Sequence, residues 1–94
     1  MHGLIGKMRA VGGKRDDLVA ILAGSTGSMP GCLSYVVALD LDDHDVLWIT
    51  EVWQDEASHK ASLDLPAVRE AIARARPMIA GFDQHIATRP VSVV

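Results

Sequence analysis

The chain has 94 residues, 49% hydrophobic and 22% charged, with a formal net charge of −3. That balance excludes a disordered chain. Nine basic residues against twelve acidic ones, with no basic cluster, exclude the electrostatic footprint of a nucleic-acid binder. The length fits one domain over residues 1–94. One cysteine, Cys32, rules out an intrachain disulfide and fits a reducing compartment. No apolar run approaches the roughly 18–20 residues of a membrane-spanning helix. Met1-His2-Gly3 leads into a strand-like segment rather than a basic region ahead of an apolar core. The expectation is a cytoplasmic protein with no membrane partner. Aromatic residues are 4% of the chain (Tyr35, Trp48, Trp53 and Phe82), so the core is expected to be aliphatic.

Residues Gly3 to Val11 read as a strand, with Leu4, Gly6, Met8 and Ala10 on one face. Gly12-Gly13 ends it. An amphipathic helix follows over about Lys14 to Ala23. Its buried stripe is Leu18, Ile21 and Leu22, and Asp16 and Asp17 complement the dipole in the first turn. Gly24 to Ser28 is a breaker cluster, and Met29-Pro30-Gly31 a turn. Cys32 to Leu41 reads as a second strand. Both its faces are fairly apolar, which predicts cover on both sides. Asp42 to Asp45 forms a turn, and Val46 to Trp53 a third strand, giving an antiparallel hairpin.

Asp55 is an N-cap for a short helix to about Leu63, with Ala57 and Ala61 at i, i+4. Pro66 fits the first turn of another helix. Val68, Ile72, Ala75 and Ile79 form its stripe, and Pro77 ends or kinks it. Gly81 closes that segment. Phe82 to Val93 reads as the last strand, bent or broken at Pro90.

The order strand, helix, strand, strand, helices, strand predicts an α+β fold: a ferredoxin-like sandwich, a four-stranded antiparallel sheet with helices on one face. The opposite face still carries apolar residues. An uncovered apolar face of that size is an interface or an aggregation hazard, so a homodimer packed through the open sheet face is expected.

No metal spacing is present. Asp40, Asp42, Asp43 and Asp45 lack the glycine and distal Glu of a calcium loop, and one Cys with four scattered His matches no zinc pattern. No glycine-rich nucleotide loop appears either. The expectation is therefore no cofactor.

Four runs carry a resemblance: Pro30-Gly31-Cys32-Leu33-Ser34-Tyr35, Ile49-Thr50-Glu51-Val52-Trp53, Asp55-Glu56-Ala57 and Pro66-Ala67-Val68-Arg69. Together they resemble the antibiotic biosynthesis monooxygenase superfamily over nearly the whole chain. The resemblance implies a dimeric ferredoxin-like α+β barrel. It also implies one of several activities: cofactor-free monooxygenation of phenolic polyketide intermediates, quinol monooxygenation, or haem degradation. Two positions depart from the pattern. Ser62 stands where many members carry a His in an Ala-His-Leu context, and Ala67 where others carry one in a Pro-His-Val context. Haem degraders take their iron ligand from that first helix, so Ser62 argues against haem. His59 lies on the same helix, nearly one turn earlier.

Oxygenation without metal or flavin needs an electron-rich substrate such as a deprotonated phenol or quinol. The protein must then supply a dry pocket, a base and hydrogen-bond donors. The expected catalytic residues are His59, Trp53 and His85: imidazole is the side-chain group suited to acid–base work at physiological pH, and Trp53 supplies an aromatic wall. Tyr35, Glu51 and Arg89 are the expected substrate-binding residues, with Arg89 or Arg9 stabilising developing negative charge. Each also has a plain structural reading. Trp53 and Tyr35 pack a core. Glu51 needs a helix amine, a backbone donor or an Arg across an interface. His59 is a surface residue, and Cys32 a small buried apolar one. The alternative function is a non-catalytic small-molecule-binding or stress-response dimer of the same fold.

Overall fold

The structure, a computed structural model, describes residues 1–24 and 28–94. Four strands and three helices run in the order β1 (His2–Ala10), α1 (Arg15–Gly24), β2 (Cys32–Leu39), β3 (Val46–Trp53), α2 (Glu56–Ser62), α3 (Pro66–Ala75) and β4 (Ile79–Thr88). All pairings are antiparallel, and the sheet order is β2-β3-β1-β4. This is the expected α+β arrangement. Residues 25–27 of the predicted breaker cluster lie outside the described residues.

The register sorts the side chains into rows across the sheet. Leu39, Leu47, Met8 and Phe82 form one row on the helix side. Val37, Ile49, Gly6 and His85 form the next, and Tyr35, Glu51, Leu4 and Ala87 a third. On the opposite face, Val36, Thr50, Ile5 and Ile86 make a row, flanked by Ala38, Trp48, Lys7 and Gln84. The core lies between the first rows and the helices. Met8, Ala10, Leu47 and Ile49 meet Leu18, Ile21 and Leu22 of α1 and Ala71 and Ala75 of α3. The three predicted α1 residues are all buried there.

The β2–β3 turn is built by carboxylates. Asp40 accepts from the backbone N–H of Asp42 and Asp43 and from the indole Nε1 of Trp48 at 2.8 Å. Arg9 reaches from β1 to Asp43 at 3.1 Å and to Asp83 of β4 at 2.8 Å. One guanidinium thus ties the turn to both strands.

Several elements differ from the sequence expectation. β2 ends at Leu39 rather than Leu41, because the side chain of Asp40 captures the next two amides. It is an edge strand and is not covered on both sides within the protomer: Leu33, Val36 and Leu39 are about half exposed. In α2, Ala57 and Ala61 face solvent. The inward face carries Ser58, His59 and Ser62 instead. Helix α3 stops at Ala75, and a 3₁₀ turn over Arg76–Met78 contains Pro77, which has no N–H to continue the ladder. Ile79 is therefore not the end of the helical stripe. It opens β4 opposite Ala10, and the Val11 N–H donates to Met78 O at 2.9 Å. Gly81 lies inside the strand opposite Arg9, and β4 ends at Thr88, before Pro90. Backbone pairing with β1 decided these boundaries, and side-chain pattern does not report it.

Candidate functional site

The third helix-side row is where polar chemistry enters an apolar interior. Glu51 and Trp53 lie two apart on β3, so both point toward the helices. Tyr35 lies opposite Glu51 on β2. Above them, α2 begins at Asp55, whose carboxylate accepts from the Ser58 N–H at 2.7 Å and caps the helix. Gly31 has φ of +81°, a conformation that favours glycine. A Cβ there would lie 2.5 Å from Ser58 Oγ. The glycine therefore permits both the turn and the close seating of α2 on the start of β2.

That seating bounds a partly open cavity of about 140 Å³ between α2, α3 and the sheet. Tyr35, Glu51, Trp53, His59 and Ser62 line it together with aliphatic residues such as Leu22 and Val68. Trp53 is 1% exposed. Its Nε1–H donates to Glu51 Oε1 at 3.1 Å, and the His59 ring meets it edge-on with centroids 5.3 Å apart. The partner of Glu51 is thus an indole two residues along its own strand, which the sequence reading did not consider. The ring of His2 stands 6.0 Å from that of His59, so the terminal histidine also approaches the site. Burial, with Glu51 and Cys32 adding to it, pushes the Tyr35 hydroxyl up to about 12. Tyr35 is consequently a neutral donor at pH 7, not a base.

Ser62, the residue at the departing position, is buried, and its Oγ donates to the His59 carbonyl at 2.6 Å. Being i and i+3, His59 and Ser62 both line the cavity. Ala67 is exposed. Of the expected site residues, the cavity gathers His59, Trp53, Tyr35 and Glu51. His85 sits on β4 opposite Gly6, exposed, and Arg89 follows β4, also exposed; neither lines this cavity. Arg9 is engaged by Asp43 and Asp83 instead. Cys32 is half-buried rather than buried; its Sγ lies 3.6 Å from the Ser34 carbonyl, and burial pushes the thiol up. Among the described residues, no group of three or more His, Cys, Asp or Glu side chains is placed to hold a metal ion. No helix is long and apolar enough to cross a membrane.

The fold and this lined cavity match a known class. The family model for antibiotic biosynthesis monooxygenase matches residues 1–74, and the chain belongs to that family. A solved protein of Chloroflexus aurantiacus J-10-fl, provisionally named an antibiotic biosynthesis monooxygenase, is 60% identical. The match covers 99% of this chain and 95% of that one, with a TM-score of 0.96. A Deinococcus radiodurans protein under the same provisional name is 25% identical over 100% of this chain and 96% of its own, with a TM-score of 0.74. A Pseudomonas aeruginosa protein at 17% identity shares the fold, with a TM-score of 0.82 over 97% of this chain and 94% of its own. The comparison with curated proteins finds no match. The family and the two provisional names support a monooxygenase-like function.

Proposed function

We propose that the protein is a cofactor-independent monooxygenase acting on a phenolic, quinol or polyketide-type aromatic substrate. One observation carries this reading: an aromatic wall, a carboxylate, an imidazole and a neutral phenol converge on one mostly apolar cavity. A flat ring stacks against Trp53, and Tyr35 donates to its oxygen. His59 takes the substrate hydroxyl proton, and Glu51, with Oε1 held by the indole, keeps Oε2 as a further acceptor.

The substrate supplies the electrons. The phenolate transfers one electron to O2, and the resulting radical pair combines to a ring peroxide. Loss of water then leaves a carbonyl. A phenol with a free para position plus O2 becomes a para-quinone plus H2O: one oxygen atom enters the ring and the other leaves as water, with no outside reductant. The apolar lining keeps water from the anion.

Two copies are proposed to pack through the open sheet face, where Ile5, Val36, Val52 and Ile86 lie beside Trp48; Val36 and Ile86 are 50% and 45% exposed. Light scattering should report twice the 10.1 kDa chain mass; a monomer at micromolar concentration refutes the dimer. A cytoplasmic setting accords with the single unpaired cysteine.

Oxygen uptake with a panel of quinols and anthrones tests the activity. His59→Ala should slow it by about 10²–10⁴, the usual loss for a general base, while Trp53→Ala should mainly weaken binding. Undiminished activity in His59→Ala would refute His59 as the base. No uptake by the parent protein would leave the binding-module reading, which the serine at position 62 favours.

A further inference from the structure

The first cavity is too small for more than one ring. An apolar cavity of about 150 Å³ holds a single benzene, and this one measures about 140 Å³. A second cavity of about 400 Å³ lies between α1, α3 and the β1–β4 side of the sheet. Met8, Leu22, Ile72, Arg76, Ile79 and Phe82 line it. Leu22 and Ile72 line both cavities. The shared wall is thus two aliphatic side chains. Ile72 is 36% exposed, so rotamer exchange can open a passage between the spaces.

Two features set the second cavity apart. Phe82, the only phenylalanine of the chain, is 57% exposed on the helix side of β4, which leaves more than half of an aromatic residue in water. Arg76 is its only charged lining residue and has no ion-pair partner among the described residues. Arg69, two turns earlier on α3, joins Arg76 along a shallow groove with Leu63 and Ile72. Arg76 is thus common to the second cavity and to this groove, with Arg69 further along the groove. At the other end of the paired cavities stand Glu51, Tyr35 and His59.

We infer that the second cavity is a subsite for the distal part of the substrate, a fused-ring phenol carrying a carboxylate that Arg76 binds. This rests on the proposed use of the first cavity for the reacting ring. The phenol end sits against Trp53, the body of the ring system crosses Ile72 to Phe82, and the carboxylate meets the free guanidinium. Arg suits this role because its planar fork matches a carboxylate with two parallel hydrogen bonds. The same charge disfavours cationic ligands and leaves neutral phenols without the added contact.

Calorimetric titration with 2-naphthol and with 6-hydroxy-2-naphthoate tests the inference. The naphthoate should bind about tenfold more tightly, the ordinary worth of a charge-assisted hydrogen bond at a partly exposed site. Arg76→Gln should reduce that advantage to less than about twofold, weakening naphthoate binding far more than naphthol binding. Arg69→Gln should have the smaller effect. Equal affinities in the parent protein, or an advantage that survives Arg76→Gln, overturn the inference while naphthol binding keeps the first cavity's role intact. Binding of neither compound overturns both. Phe82→Asp should weaken both ligands and leave the oligomeric mass unchanged; dissociation of the oligomer would instead assign the Phe82 wall to a second copy of the chain.

Discussion

The Trp53–Glu51 hydrogen bond should be worth about 1–2 kcal/mol. Hydrogen bonds to charged groups contribute about 1.5–3 kcal/mol net. Glu51 is only half-buried, so its water-exposed alternative is less costly and the value falls toward the lower end. The indole is 1% exposed and its N–H has no other acceptor among the described residues, so losing the carboxylate strands a buried donor. Trp53→Phe, Glu51→Ala and the double variant form the cycle, read by urea unfolding followed by circular dichroism. The single changes carry packing losses as well, about 1–3 kcal/mol for the indole, and the cycle removes them. Glu51→Gln keeps an acceptor oxygen and should lie within about 1 kcal/mol of the parent. A coupling within error of zero would refute the reasoning and make the 3.1 Å contact one of position without energy.

Tyr35 is the only tyrosine, so its ionisation can be followed by ultraviolet absorbance; it should titrate near 12 in the folded protein, and Glu51→Gln should bring it closer to 10. Because this pKa is raised on folding, its stabilising contribution is fully present below about 10 and is lost as pH rises toward 12. Asp40 is held below its ordinary 3.8 by the Trp48 indole and the amides of Asp43 and Asp42. Its contribution is therefore present above that value and lost as pH falls through the lowered one, so Asp40→Asn should flatten the acid limb of a stability–pH curve. Stoichiometric haem should give no Soret band, since Ser62 replaces the expected ligand and its hydroxyl is already bonded to the His59 carbonyl; a band abolished by His59→Ala would refute this.

Much of the fold was legible because its signals are local. Leu18, Ile21 and Leu22 recur at helical spacing and are buried together. Asp55 and Pro66 sit at helix starts because a carboxylate satisfies free amides and a proline needs none. The errors fall where a partner decides. Ile79 fits the α3 stripe in spacing, yet the edge of β1 offers it a ladder, and Pro77 has already broken the helix. Ala57 and Ala61 look like an inward face by hydrophobicity. The α2 face that turns in is set instead by the Gly31–Ser58 approach and the packing of His59 on Trp53.

The candidate site was legible to the extent that strand parity reaches. Glu51 and Trp53 share a face by period two, and the short hairpin sets Tyr35 opposite Glu51, so three of the lining residues follow from β2 and β3 alone. The two histidines are where the sequence loses its grip. His59 and His85 have equal chemistry, and nothing in their own neighbourhoods separates them. What separates them is sheet order: β4 pairs with β1, not β3, so His85 stands opposite Gly6 on the same face as Tyr35 but at the opposite edge of the sheet. His59 rides on the helix that follows β3 directly and is carried back over Trp53. The same order explains the second cavity. Helices α1 and α3 pack over β1 and β3, and between Phe82 on the helix-side face of β4 and Arg76 in the turn before it lies a gap that none of the described residues fills. On the proposed reading, reaction chemistry and substrate reach are divided between the two halves of one sheet.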